Sequence, residues 1–199
     1  MPSLVETRHG PARAHVHDVA DPTALLILGH GAGGGVGAPD LVAATRAGVQ
    51  AGLRVILVEQ PYRVAERRAP APATQLDAAW IDVVTRMRDD ALPLLVGGRS
   101  SGARVACRTA AAVDAAAVVC LAFPLHPPGR PEKSRLAELD AVPVPTLVVQ
   151  GERDAFGRPP PADSRDVVLV HGDHSLKSDL AAVEAAVGGW LSSLSLRPR

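Results

Sequence analysis

Six short apolar runs constrain this chain more than any other feature. They cover residues 24–28, 54–59, 92–97, 116–122, 146–150 and 167–170, each rich in Val, Ile or Leu and nearly continuous in apolar character. Strands buried on both faces of a parallel sheet read this way, because neither face can carry polar side chains. Helical patterns fill the gaps. Pro39 suits the first turn of a helix to about residue 51, and Gly52 suits its stop. Thr74 and Asp77 suit the cap of a helix to about residue 90, with Leu76, Trp80, Val83, Val84 and Met87 on one face. Residues 101–113 and 180–194 read as two more helices, and residues 3–18 as one or two antiparallel edge strands. This alternation predicts an α/β fold: a doubly wound, mostly parallel sheet flanked by helices.

A chain of 199 residues suits one such domain, spanning 1–199. Only 3% of residues are aromatic, so the core must be built from aliphatic and Ala side chains. Lys and Arg together number 21, as do Asp and Glu, which gives no basic surface for nucleic acid or an anionic membrane. Cys107 and Cys120 lie in apolar stretches without metal or redox spacing and read as buried thiols of a reducing compartment. The first 18 residues hold no apolar run like that of a secretion signal, and the most apolar longer stretch, 110–125, is broken by Asp114. The expectation is a cytoplasmic protein that needs no cofactor.

In a doubly wound sheet, function gathers on the loops after the strands' C-terminal ends. After the 92–97 run comes Gly98-Arg99-Ser100-Ser101-Gly102 and then a helix pattern, a G-x-S-x-G in strand–turn–helix context. A turn that sharp needs small flanks, and it holds Ser100 Oγ clear of the sheet as a nucleophile. Ser101 is the weaker nucleophile because Arg99 and Ala103 flank it; capping of the helix is the plainer reading of Ser100. After the 146–150 run comes Gly151-Glu152-Arg153-Asp154, where Asp154, with Glu152 in reserve, can orient a histidine. After 167–170 comes His171-Gly172-Asp173-His174, where His174 opens the loop before the last helix as a general base and His171 is expected partly buried. His171 and His174 lack further ligands of convincing metal spacing.

A glycine-rich segment, LLILGHGAGGGVG, follows the first run and admits two chemistries. Gly29, Gly31 and Gly34 satisfy the G-x-G-x-x-G of a phosphate-cradling turn. The same segment reads as a His-Gly turn that lends a backbone N–H to an oxyanion. The helix pattern begins only at Pro39, beyond Gly37, which favours a loop over a cradle at a helix N-terminus.

The order Ser100, Asp154, His174 and the stretches GHGAGGG, EQPYRVAERRAP, GGRSSGARVA, AFPLHPPGRPEKSR, VQGERDAFGRP and HGDHSLK resemble the α/β-hydrolase superfamily over about residues 24–190. More narrowly the chain resembles the small, lidless, dienelactone-hydrolase-like group that includes the hydrolase-like subunit of the NSL histone-acetyltransferase complex. The resemblance implies a triad of Ser100, Asp154 and His174, with the backbone N–H groups of Ala32 and Ser101 as oxyanion donors. Many members carry a bulkier residue where this chain has Ser101. It further implies hydrolysis of a small ester or related acyl substrate through an acyl-enzyme. The loops after the second and fourth runs are expected to form a substrate rim, with Tyr62, Phe123 and His126 as contacts and arginines 63, 67 and 68 nearby. No segment is left for a large lid. Two other readings stand beside this one: a binding or assembly module on a hydrolase fold, and a dinucleotide-binding oxidoreductase with Glu59 as the ribose-binding acid.

Overall fold

The computed structural model describes residues 2–196, and in it the apolar runs become the six parallel strands of an eight-stranded sheet, the last of them lying at an edge and only partly buried. Two short antiparallel strands, β1 (Ser3–Val5) and β2 (Ala12–His17), form one edge. The rest are β3 (Ala24–Gly29), β4 (Leu53–Glu59), β5 (Leu94–Arg99), β6 (Ala117–Leu121), β7 (Thr146–Gly151) and β8 (Arg165–Val170). The order is β1-β2-β4-β3-β5-β6-β7-β8, and every pair from β4 to β8 is parallel. Strands β3 and β7 are buried at every residue, as a largely apolar strand inside a parallel sheet requires.

Helices cover both faces. On one, α1 (Pro39–Gln50) packs on α6 (Leu180–Ser193) over Leu26, Leu28, Leu95 and Leu147. On the other lie α2 (Pro61–Val64), α3 (Ala73–Met87), α4 (Ser101–Thr109) and α5 (Leu136–Asp140), over Leu25, Ile27, Val96 and Val118. Among the described residues no helix is long and apolar enough to cross a membrane.

Several boundaries differ from the sequence reading. The strand expected at 92–97 begins at Leu94, after Pro93, and runs on to Arg99, where it still pairs with Leu121. Helix α3 starts at Ala73, ahead of Thr74, without a side-chain cap; Asp77 therefore lies a turn inside the helix, in an ion pair with Arg108 on α4 at 2.6 Å. Helix α4 ends at Thr109 rather than 113; the chain turns through residues 110–114, with Asp114 in the left-handed region at φ 53°. The short helices α2 and α5 were not expected. Each spans about one turn, too short for a hydrophobic period to register.

The C-terminal ends of β3, β5, β7 and β8 lie at one edge of the sheet. Turns there place the residues singled out from sequence.

Candidate active site

Ser100 stands between β5 and α4 with φ 52° and ψ −109°, a conformation non-glycine residues rarely adopt and one that costs about 1–3 kcal/mol. The neighbouring backbone enforces it. Ser100 N–H donates to Leu121 O at 2.9 Å, and its carbonyl accepts the first bond of α4, from Arg104 N–H. A Cβ at Gly98 or at Gly102 would run into the carbonyl oxygen of Gly29, so both flanks of the serine must be glycine. Steric exclusion therefore explains the G-x-S-x-G spacing.

From Ser100 a continuous hydrogen-bonded line runs to Asp154. His174 Nε2 lies 2.9 Å from Ser100 Oγ, and His174 Nδ1 lies 2.8 Å from Asp154 Oδ2. The Asp154 side chain is fully buried, yet its carboxylate is well supplied with donors. Phe156 N–H donates to Oδ1 at 2.8 Å, and Gln150 Nε2 donates to Oδ2 at 2.7 Å. Buried carboxylates persist as anions only with such partners. The turns of Asp154 and His174 are pressed together at Gly151, where a Cβ would strike the carbonyl oxygen of Asp173. The Phe156 ring lies on the His174 imidazole, with centroids 4.1 Å apart. Imidazole held between a carboxylate and a hydroxyl in this way has one tautomer, with its proton on Nδ1 and a free lone pair aimed at the hydroxyl.

The glycine-rich segment closes the other side. Gly31 packs close to the serine: a Cβ there would lie 3.5 Å from Ser100 Cβ and 2.8 Å from Arg99 Nη1. His30, buried at the end of β3, contacts its own neighbour's carbonyl through Nδ1, 2.8 Å from Gly31 O, and accepts Gln60 N–H at Nε2, 3.1 Å away. Burial pushes its pKa below the ordinary imidazole value, and the bond to Gly31 O only partly opposes this. Tyr62 donates its hydroxyl to Ala32 O at 3.0 Å. The amides of Ala32 and Ser101 have no protein acceptor among the described residues. Helix α1 begins at Pro39, so the glycines form turns ahead of the helix and not its first turn.

Arg99 ties these pieces together. Its Nε lies 2.8 Å from Asp40 Oδ2, at the start of α1, and its Nη2 donates to His174 O at 3.1 Å. Asp40 is fully buried, and burial raises its pKa while Arg99 pulls it back down.

Three expectations, two of them at the rim, need correction. Phe123 is completely buried in the core beneath α4 and forms no rim, because the turn after β6 carries it inward. Tyr62 is 6% exposed and serves the glycine segment from below, its hydroxyl spent on Ala32. His171, expected partly buried, is exposed beside Glu152, 3.5 Å away, so Glu152 faces His171 and not His174. His126 is half-buried and bonded through Nδ1 to Pro127 O at 2.9 Å, with Gly157 packed against its ring. The sequence reading passed over Gln150, Phe156 and Arg99. Gln150 did carry a signal: it is the one polar residue in the run LVVQG, and a polar side chain in a buried strand demands a purpose.

The same fold recurs in solved structures. XC6422 from Xanthomonas campestris, described as an α/β serine hydrolase without lid, superposes with a TM-score of 0.75 at 20% identity, covering 98% of this chain and 96% of that one. Dienelactone hydrolase from Anabaena variabilis gives 0.77 at 20% identity, covering 99% and 98%. Est1E from Butyrivibrio proteoclasticus gives 0.78 at 16% identity, covering 96% and 97%. No curated protein matches the sequence. The family model for the alpha/beta hydrolase domain matches residues 22–184, a span that begins just ahead of β3 and ends within α6, taking in all four turns at the site edge; the chain belongs to the alpha/beta hydrolase family.

Proposed function

We propose that the protein is a serine hydrolase that cleaves a small ester or related acyl compound through an acyl-enzyme on Ser100. The observation that carries this reading is the line Ser100 Oγ–His174 Nε2–Asp154 Oδ2, with links of 2.9 Å and 2.8 Å, built on a strained serine. His174 takes the Ser100 proton as Oγ bonds to the acyl carbon, and the carbonyl electrons move onto oxygen. The amides of Ala32 and Ser101 receive that oxyanion, each worth on the order of 3 kcal/mol in comparable sites. The C–O bond to the leaving group then breaks, and His174 returns the proton to the departing alkoxide. Water, deprotonated by the same imidazole, releases the acid and restores Ser100. Asp154 holds the tautomer and stabilises the imidazolium. The narrower kinship with the NSL-type hydrolase-like group and a cytoplasmic location belong to this proposal and rest on the sequence stretches quoted above.

Fluorophosphonate labelling and turnover of p-nitrophenyl acetate and butyrate test it, comparing wild type with Ser100→Ala. The expected result is labelling and turnover by wild type, with Ser100→Ala unlabelled and slower by roughly 10³-fold or more. A wild type that neither labels nor turns over short esters overturns the reading. A fully active Ser100→Ala overturns the nucleophile.

A further inference from the structure

A cavity of about 310 Å³ lies between α2, α3 and the turn joining β1 to β2, and neither Ser100, His174 nor Asp154 lines it. Its volume is in the range of small-molecule sites. The walls are apolar, from Pro11, Pro61, Val64, Ala71, Leu76 and Ala79. Gln60 lies in the wall with its Nε2 donating to Leu76 O at 3.2 Å and its Oε1 buried away from the space, so one charged group breaks that surface. At the mouth stands the exposed Arg67, held through its backbone N–H to Tyr62 O, with a guanidinium that meets no carboxylate among the described residues. Between this cavity and the serine turn is only a gap of about 10 Å³, bounded by His30, Gln60, Tyr62, Trp80 and Ser101. A water fits a gap of that size, but an acyl chain does not.

We propose that this cavity is a second binding site, separate from Ser100, for a small amphipathic carboxylate. The apolar body fills the space over Leu76 and Ala79, and the carboxylate pairs with Arg67. A cationic ligand would face Arg67 at the mouth, and a wholly apolar one would leave that guanidinium unpaired. The site does not depend on hydrolysis at Ser100.

The probe is 4-hydroxyphenylacetate, titrated into the full chain by calorimetry and followed by amide chemical shifts in a labelled sample. Its amide, 4-hydroxyphenylacetamide, removes the charge. One saturable site is expected, with shifts centred on Gln60, Tyr62 and Ala79 and not on His174. Arg67→Gln, at an exposed position, is expected to weaken the carboxylate probe about tenfold, the equivalent of roughly 1.4 kcal/mol, and to leave the amide unchanged. Absence of saturable binding, shifts centred on Ser100 and His174, or an Arg67→Gln protein that binds the carboxylate as wild type does would each overturn the proposal. None of these outcomes bears on the labelling of Ser100, so the two readings fail independently.

Discussion

At the ends of β7 and β8 the site is held by side chains, whereas across Ser100, at the end of β3, it is held by backbone. On the first side one fully buried carboxylate gathers His174, Gln150 and the Phe156 amide within 2.7 to 2.8 Å. On the second, the Gly31–Ala32 segment owes its position to His30, Tyr62 and the packing of Gly31 against Arg99 and Ser100. Loss of one group on the carboxylate side removes a node with several partners. Loss of one group on the glycine side removes one of several supports. Substitutions should therefore be far more costly near Asp154 than near Ala32.

The largest effect is expected from Asp154→Asn. It preserves shape but favours the wrong tautomer of His174, and a drop in kcat of about 10⁴-fold on p-nitrophenyl acetate is expected, the loss seen when a triad carboxylate becomes an amide. A loss below tenfold would mean that Asp154 does not orient His174. Gln150→Leu comes next. Gln150 Nε2 also lies 3.1 Å from Phe123 O and 2.8 Å from Gly157 O, so the change removes two N–H donors that three acceptors share. Urea unfolding is expected to show a loss of about 2–4 kcal/mol. Turnover by the folded fraction should fall by up to about 100-fold, as when a reacting group shifts slightly out of place.

Tyr62→Phe probes the glycine side. It deletes one hydroxyl bond to Ala32 O and keeps the ring in its buried place. Stability is expected to fall by about 1 kcal/mol, and kcat by about fivefold at most if the whole of that loss reaches the transition state. A fall as large as that of Asp154→Asn would abolish the contrast, because a single hydroxyl would then govern the Gly31–Ala32 segment.

The same contrast explains what could be read in the sequence. Side-chain chemistry leaves a mark in residue type: Ser100, Asp154 and His174 each follow a strand, and those strands are announced by apolar runs that a parallel sheet must bury. The six parallel strands of the sheet were legible for the same reason, whereas the edge was read only as one or two strands because no apolar run marks β1 and β2. Backbone-held structure leaves a fainter mark. That Tyr62 turns under the glycine segment, and that the turn after β6 buries Phe123, depend on the path of irregular chain, which no periodicity encodes. Both residues look like rim aromatics until their burial is known. Asp77 resembles part of a cap until the helix is seen to start at Ala73 and Arg108, 31 positions away, holds its carboxylate. Long-range pairing of this kind overrides local propensity.

His30 gives the smallest effect and the finest test of the glycine side. The Gln60 N–H bond to Nε2 requires a lone pair there, which leaves the ring proton on Nδ1 for Gly31 O; a second proton on Nε2 would confront a donor with a donor. Burial lowers the folded-state pKa below the unfolded value of about 6.5, so at acid pH the unfolded chain binds a proton that the folded protein refuses. Stability carried by neutral His30 is thus fully present above that value and is lost as pH falls, at a limiting slope of about 1.4 kcal/mol per pH unit. His30→Gln can donate to Gly31 O and accept from Gln60 N–H without titrating. Urea unfolding at neutral and mildly acid pH should therefore show a shallower decline for the variant than for wild type, with turnover at neutral pH changed less than by Tyr62→Phe. Parallel declines would mean that His30 is not held neutral. The Gly31–Ala32 peptide, whose carbonyl accepts from His30 and whose N–H is proposed to receive the oxyanion, would then owe its orientation to the glycine packing and Tyr62.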